Sequence, residues 1–160
     1  ALGAGFPIAA IIIHDRLKGF EMNAEELHTF ANNSMSQVAA LKQIEIIERD
    51  KLLDNVNKVG GYIAERLREL QKEYEEIGDI RQVGLHIGVE MIEDAESKKP
   101  LDDERAKKLR SVAMDKGIIL GTGGYRKHLL KIKPPLITTM EDADEIVDIF
   151  SDTLRDVLRK

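Results

Sequence analysis

The sequence predicts a layered α/β unit, and the spacing of its apolar residues indicates this in three places. Between residues 52 and 77, apolar side chains recur every three or four positions, which is typical of a helix with one buried face. Residues 85–91 alternate between apolar and other side chains, which is typical of a strand. Helical spacing returns over residues 143–158. Helices and strands that follow one another in this way favour a layered α/β fold.

Composition limits the classes of function. The chain has 160 residues, 42% of them hydrophobic, which is enough for one core. Its 24 basic residues are interspersed with 29 acidic ones, so no continuous positive surface for nucleic acid is indicated. Because cysteine is absent, disulfides, thiolate metal sites and cysteine catalysis are excluded, and a cytoplasmic location is expected.

The N-terminal residues predict a turn that leads into a strand. Gly3, Gly5 and Pro7 favour a tight turn, and the apolar run Ile8–Ile13 is suited to a buried strand. That run is too short to span a membrane, and no basic segment of a signal peptide precedes it. Residues 16–26 read as a polar connection. Since the sequence opens at Ala1 inside such a loop-to-strand unit, we expect it to be a fragment of a longer protein.

Two helices are predicted next. Residues 34–50 show helical spacing, with Asn33 or Ser34 as the cap. The second, longer helix has a stripe formed by Leu52, Val56, Val59, Ile63, Leu67, Leu70, Tyr74 and Ile77. Gly60 and Gly61 within it indicate close packing or a bend. A coiled coil is the alternative for this stripe, but its length favours packing on the helix's own domain.

The C-terminal half predicts one strand, a helix, two short strands and a last helix. The strand centres on residues 85–91, a charged loop follows over 94–100, and a helix runs from 102 to about 116. Strands are expected at 118–120 and 129–132.

Gly121, Thr122, Gly123 and Gly124 lie between these two short strands. Their backbone could cradle an anion, but a turn is the simpler interpretation. Thr139 and Asp142 form a predicted capping box for the final helix. The stripe of that helix is Ala143, Ile146, Val147, Phe150, Leu154, Val157 and Leu158.

Four segments, in this order, resemble the class III pyridoxal-phosphate aminotransferases, which include the ornithine, acetylornithine and 4-aminobutyrate enzymes. They are Leu2–Pro7, the His28-Thr29-Phe30 segment, Arg81–Glu90 and Leu130–Leu136. The similarity runs over essentially the whole chain and corresponds to the C-terminal portion of such an enzyme. It implies a fold type I transferase: residues 1–50 would end the large cofactor-binding domain, 51–77 would be a connecting helix, and 78–160 the small α+β domain.

The resemblance also implies roles for individual residues. The lysine that forms the Schiff base would directly precede Ala1, so no catalytic residue is expected in the chain itself. Thr29, with His28 beside it, would contact the phosphate of pyridoxal 5'-phosphate in the neighbouring subunit of a homodimer. Lys131 stands where most members carry an arginine that binds the substrate carboxylate. The lysine ammonium would act as a point charge there, in place of a guanidinium that binds the carboxylate through two hydrogen bonds. Residues 31–35 lack the family's usual glycine and proline.

Taken without the resemblance, each of these residues has a simpler interpretation. Thr29 would be a cap and Lys131 a solvated strand residue. His14, His28, His86 and His128 are too scattered to indicate a metal site.

The function implied is transfer of an amino group between an amino acid or amine and a 2-oxo acid, in an enzyme completed by an N-terminal portion of the same protein. The alternatives are a lyase or racemase of the same family, or a non-catalytic module that lacks the Schiff-base lysine. The sequence does not determine the substrate.

Overall fold

A four-stranded antiparallel sheet organises residues 52–160 in the computed structural model, which describes residues 2–17 and 33–159. The strands are β1 (Ile77–Val83), β2 (His86–Met91), β3 (Gly121–Gly123) and β4 (Leu129–Ile132). Their order in the sheet is β1-β2-β4-β3, so β4 lies in the interior between β2 and β3.

The described residues form four helices. They are α1 (Ser34–Arg49), α2 (Leu52–Glu73), α3 (Asp103–Asp115) and α4 (Met140–Leu158). The Asn33 side chain accepts from the Ser36 N–H at the start of α1, and the Asp102 side chain caps α3. None of the helices within 33–159 combines the length and apolar character that a membrane crossing requires.

The core of Leu52–Lys160 lies between the sheet and its helices. Helix α2 contacts β1, β2 and α4, while α3 contacts α4. The fully buried side chains of this core include Ile63, Leu67, Ile87, Leu109, Leu130, Phe150 and Leu154. The prediction that the α2 stripe packs on its own domain is therefore confirmed.

Residues Ala1–Lys51 form a separate unit with a much smaller interior. Among its described residues, only Gly3, Ser36 and Ala40 are buried. The predicted turn is present, since the Phe6 N–H donates to the Gly3 carbonyl oxygen at 2.9 Å.

The predicted strand over Ile8–Ile13 is wrong. The backbone there pairs with no other described segment, and Ile11 and Ile12 are 82% and 97% exposed. A strand is stabilised by its neighbours in a sheet, and the described residues supply none for this run.

Helix α2 ends at Glu73, before the predicted limit of Ile77. Tyr74 and Ile77 are nevertheless buried, at 4% and 3% exposure, so both extend the stripe although Ile77 already belongs to β1. Spacing alone therefore placed the helix end too late.

The third strand is also displaced from its prediction. Residues 118–120 are not a strand; Gly121–Gly123 pair with β4 instead, so these glycines are not simply a turn. The connection to β4 begins at Gly124, whose φ is 74°. The predictions for β2, β4, α3 and α4 are confirmed, including the capping box of Thr139 and Asp142.

Candidate functional site

Lys131 lies on the open face of the sheet. Its neighbours along β4, Leu130 and Ile132, are buried against the core at 0% and 4% exposure. Since side chains alternate along a strand, Lys131 points to the opposite face. In the register of the sheet it is flanked by Gly88 of β2 and Gly121 of β3.

Two glycines of β3 lie against the Lys131 side chain. A Cβ built on Gly121 would lie 3.4 Å from the lysine Cβ and 3.5 Å from its Cε. A Cβ built on Gly123 would lie 3.3 Å from the lysine Cδ and 3.2 Å from its Cε. The aliphatic stem of Lys131 therefore lies across β3, and its ammonium group is carried toward that edge of the sheet.

A second cation on the same sheet, Arg81, is held by carboxylates. Its Nε lies 2.7 Å from Asp79 Oδ2 and its Nη2 lies 2.6 Å from Glu90 Oε2. These two hydrogen bonds raise the pKa of Arg81 above its ordinary value, and the bond to Asp79 has the larger effect. Glu90 also contacts His128, whose Nε2 is 3.2 Å from Oε1. The charge of Arg81 is thus compensated within the protein.

Lys131 differs from Arg81 in this respect. Among the described residues it forms no ion pair. When the aliphatic part of a lysine side chain is partly buried and its ammonium group has no carboxylate partner, the ammonium group can attract an anion from solution. This is the chemistry that a carboxylate-binding residue requires.

The segment that follows β4 is anchored to α2. The Asn55 side chain donates to the carbonyl oxygens of Leu136 and Thr138 at 2.9 and 3.0 Å. The Thr138 hydroxyl in turn donates to the Pro135 carbonyl oxygen at 2.7 Å. These bonds fix the exit of the strand that carries Lys131. Asn55 was missed by sequence reasoning; the signal was an amide side chain directly beside the apolar stripe of α2, next to Val56.

Of the other predicted residues, His86 lies on this face and lines a pocket together with Arg81, Gln82 and Lys131. His28 and Thr29 lie outside the described residues, so their role stays a prediction. His14 makes only a local contact, in which its Nδ1 accepts from the Arg16 N–H at 3.2 Å. Within 2–17 and 33–159, no cluster of histidine, aspartate and glutamate has the arrangement of a metal site.

The described residues do not by themselves form a site for pyridoxal phosphate. The resemblance assigns the phosphate contacts to Thr29 and His28 and the Schiff base to a lysine outside the sequence. Around Lys131, the described groups include Leu129 and the side chains of Arg81, Gln82 and His86, which line one pocket with it. None of the residues that the resemblance assigns to the phosphate is among them.

Comparison with known proteins gives one consistent result. The family model for class-III aminotransferases matches residues 1–154. The chain is 35% identical to an alanine–glyoxylate aminotransferase 2 homolog of Arabidopsis thaliana, over 92% of the chain and 31% of that protein. It is 36% identical to a leucine/methionine racemase of Thermococcus litoralis, over 98% of the chain and 34% of that protein.

A solved structure agrees with these relatives. An aminotransferase of Bacillus anthracis superposes with a TM-score of 0.81 at 28% identity, over 88% of this chain and 32% of that one. The chain spans about a third of the length of each of these proteins.

Proposed function

Because this chain belongs to the class-III aminotransferase family, we propose that the complete protein is an aminotransferase that moves an amino group between an amino acid or amine and a 2-oxo acid. Its fold is that of the C-terminal part of a fold type I pyridoxal-phosphate-dependent transferase. The match of the family model over residues 1–154 carries the proposal.

The cofactor of the proposed enzyme is pyridoxal 5'-phosphate, which serves as an electron sink for the bond that is broken at the substrate carbon. The lysine that binds it and moves the proton would directly precede Ala1. Thr29, with His28, would contact the phosphate in the other subunit of a homodimer.

The contribution of the described residues is to bind and orient the substrate. Lys131 forms no ion pair with the residues that the structure describes, so its positive charge on the open face of the sheet would attract the carboxylate of an amino acid or 2-oxo acid. Its strand is held by Asn55, which fixes the base from which the lysine extends. A substrate with a carboxylate is thus favoured over a simple amine.

The domain and location assignments remain proposals. Residues 1–50 would end the large domain, 51–77 would connect the two domains and 78–160 would form the small one, completed by the N-terminal portion of the same protein. We propose a cytoplasmic location from the absence of cysteine, although the aminotransferase relatives are named as mitochondrial proteins.

A racemase is the second candidate. Two archaeal relatives carry that name: the leucine/methionine racemase, and an alanine/serine racemase of Pyrococcus horikoshii that is 38% identical over 82% of the chain. A lyase of the same family and a non-catalytic module are the remaining alternatives.

One set of assays on the full-length protein separates these candidates. An aminotransferase converts an L-amino acid only when a 2-oxo acid is present, and forms one new amino acid for each donor consumed. A racemase interconverts the two enantiomers without an acceptor, and a lyase releases a fragment of the substrate. A non-catalytic module leaves the substrates unchanged. It also lacks the visible absorbance of a cofactor bound to lysine, an absorbance that borohydride abolishes in the enzyme.

Replacing Lys131 tests the proposed contact. We expect Lys131→Met to raise KM for an amino acid donor roughly tenfold or more, because a hydrogen bond to a charged group is lost. Lys131→Arg should keep or lower KM, since a guanidinium can bind the carboxylate through two hydrogen bonds. An unchanged KM in Lys131→Met would show that Lys131 does not bind the substrate. The proposal that the protein is an aminotransferase would not be affected.

A further inference from the structure

Two glycines of β3 lie directly beneath the Lys131 side chain. A Cβ on Gly123 would be 3.1 Å from Leu129 Cδ2, 3.2 Å from the lysine Cε and 3.3 Å from its Cδ, all closer than side chains ordinarily pack. A Cβ on Gly121 would be 3.4 Å from the lysine Cβ and 3.5 Å from its Cε, an ordinary van der Waals contact. The lysine stem, together with Leu129 beside Gly123, therefore occupies the space that side chains at these two positions would take.

The backbone of β3 does not itself require glycine at these positions. The described glycines with φ in the left-handed region are Gly5, Gly84, Gly117 and Gly124, so Gly121 and Gly123 are not among them. Glycine inside a strand weakens it and offers no side chain for packing. What these two glycines provide is space above the strand.

Gly88 provides the comparison. It is paired with Lys131 from the other side, yet the three atoms nearest to a Cβ built there all belong to Leu129, the closest at 3.2 Å. A side chain at Gly88 would therefore crowd Leu129 alone, whereas one at Gly123 would crowd both Leu129 and Lys131. Lys131 leans toward β3 and away from β2, so the glycines on its two sides have different effects on it.

We propose that Gly121 and Gly123 are positioning residues that let the Lys131 stem lie flat across β3 and so determine where its ammonium group meets a substrate carboxylate. This rests on the proposed role of Lys131. A methyl group at Gly123 would press on Leu129, as one at Gly88 would, and would in addition displace Cδ and Cε of Lys131. Because both side chains end in flexible groups, the change would move the lysine charge at little cost in folding. The fold would survive while the carboxylate contact is misplaced.

The test uses the full-length holoenzyme and the variants Gly123→Ala, Gly121→Ala and Gly88→Ala. We expect Gly123→Ala to raise KM for an amino acid donor roughly three- to tenfold, since a misplaced binding group loses much of its effect. Gly121→Ala should raise KM less, because the added methyl group makes only an ordinary contact. Gly88→Ala should leave KM nearly unchanged, and all three variants should keep a thermal midpoint close to that of the parent.

A second readout does not depend on turnover. Calorimetry measures the dissociation constants of propanoate and of the uncharged propanamide for each variant. Gly123→Ala should weaken propanoate binding and leave propanamide unaffected. In the double variant Lys131→Met/Gly123→Ala, the alanine should add nothing to the effect of the methionine, because the group that it displaces is gone.

The possible outcomes separate two failures. If Lys131→Met has no effect on KM or on propanoate binding, the proposed role of Lys131 fails. If Lys131→Met has the expected effect but Gly123→Ala behaves like Gly88→Ala, the positioning role is wrong. It is equally wrong if Gly123→Ala weakens the binding of both probes to the same extent, or if its effect persists in the Lys131→Met background.

Discussion

At the scale of single residues, Gly60 permits the close approach of α2 to the turn between β1 and β2. A Cβ at this position would lie 2.0 Å from the carbonyl oxygen of Gly84, which is backbone and cannot rotate away. We expect Gly60→Ala to lower the free energy of unfolding by about 3 kcal/mol, since overpacking forces the backbone to shift. Urea denaturation of the full-length protein measures the change.

The adjacent glycine provides a matched control. A Cβ on Gly61 would meet nothing within 4 Å, so Gly61→Ala adds helix propensity without a clash. We expect this variant to raise the free energy of unfolding by up to about 1 kcal/mol. Equal effects of the two substitutions would contradict the assignment of Gly60 as the point of contact.

At the scale of elements, the start of α4 depends on a pair of reciprocal hydrogen bonds. The Asp142 N–H donates to the Thr139 hydroxyl oxygen at 3.1 Å, and the Thr139 N–H donates to the Asp142 carboxylate at 2.8 Å. The bonds from the Thr139 backbone and side chain lower the pKa of Asp142 below its ordinary value. The carboxylate form of Asp142 is therefore the form that stabilises the helix.

This gives a prediction with a definite sign. Because the folded pKa of Asp142 is lowered, its contribution is present above the unfolded pKa of about 3.9 and is lost as pH falls through the folded value. We expect Asp142→Asn, which retains an acceptor but no charge, to be less stable than the parent at neutral pH. The difference between their thermal midpoints should shrink as the pH falls below about 4.

Replacing the other member of the capping box separates this charge effect from the cap itself. Thr139→Ala removes the hydroxyl acceptor, so it should cost about 1 kcal/mol at neutral pH. A constant difference between Asp142→Asn and the parent across the acid range would show that the ionised carboxylate does not contribute.

The helices could be predicted because their signals are local. Thr139, Asp142 and the stripe of α4 lie within one stretch of sequence, so the helix and its start were both found. The predicted strand at Ile8–Ile13 failed because a strand requires partners that local spacing cannot supply. β3 was misplaced for a related reason, since Gly121 and Gly123 have no side chains that would mark an alternating pattern.

The candidate site shows the same limit. Lys131 was found through a resemblance, but the neighbours that surround it come from the register of separate strands. Gly123 is brought to Lys131 by the pairing of β3 with β4. Asn55 reaches the segment after β4 although it lies 81 residues before Leu136 and 83 residues before Thr138 in the chain. Such contacts depend on tertiary structure, and no spacing rule in the sequence encodes them.

At the scale of the whole molecule, the buried apolar residues are unevenly divided. Every member of the main core cluster lies between Val59 and Val157, within the unit Leu52–Lys160. The unit Ala1–Lys51 instead exposes large apolar side chains, among them Ile11, Ile12 and Leu41 at 82%, 97% and 69%. Burial of apolar surface is the main source of folding free energy, so the two units should differ greatly in stability on their own.

We therefore expect residues 52–160, expressed alone, to unfold in one cooperative transition, because this segment contains its own sheet, helices and core. Residues 1–51 alone should show no such transition, since few of the apolar side chains described within 2–17 and 33–51 are buried. Urea titrations followed by circular dichroism test both segments. In the isolated 52–160 segment, Gly60→Ala should shift the midpoint to lower urea and Gly61→Ala should not. Loss of cooperativity in 52–160, or a cooperative transition in 1–51, would contradict the division of the core.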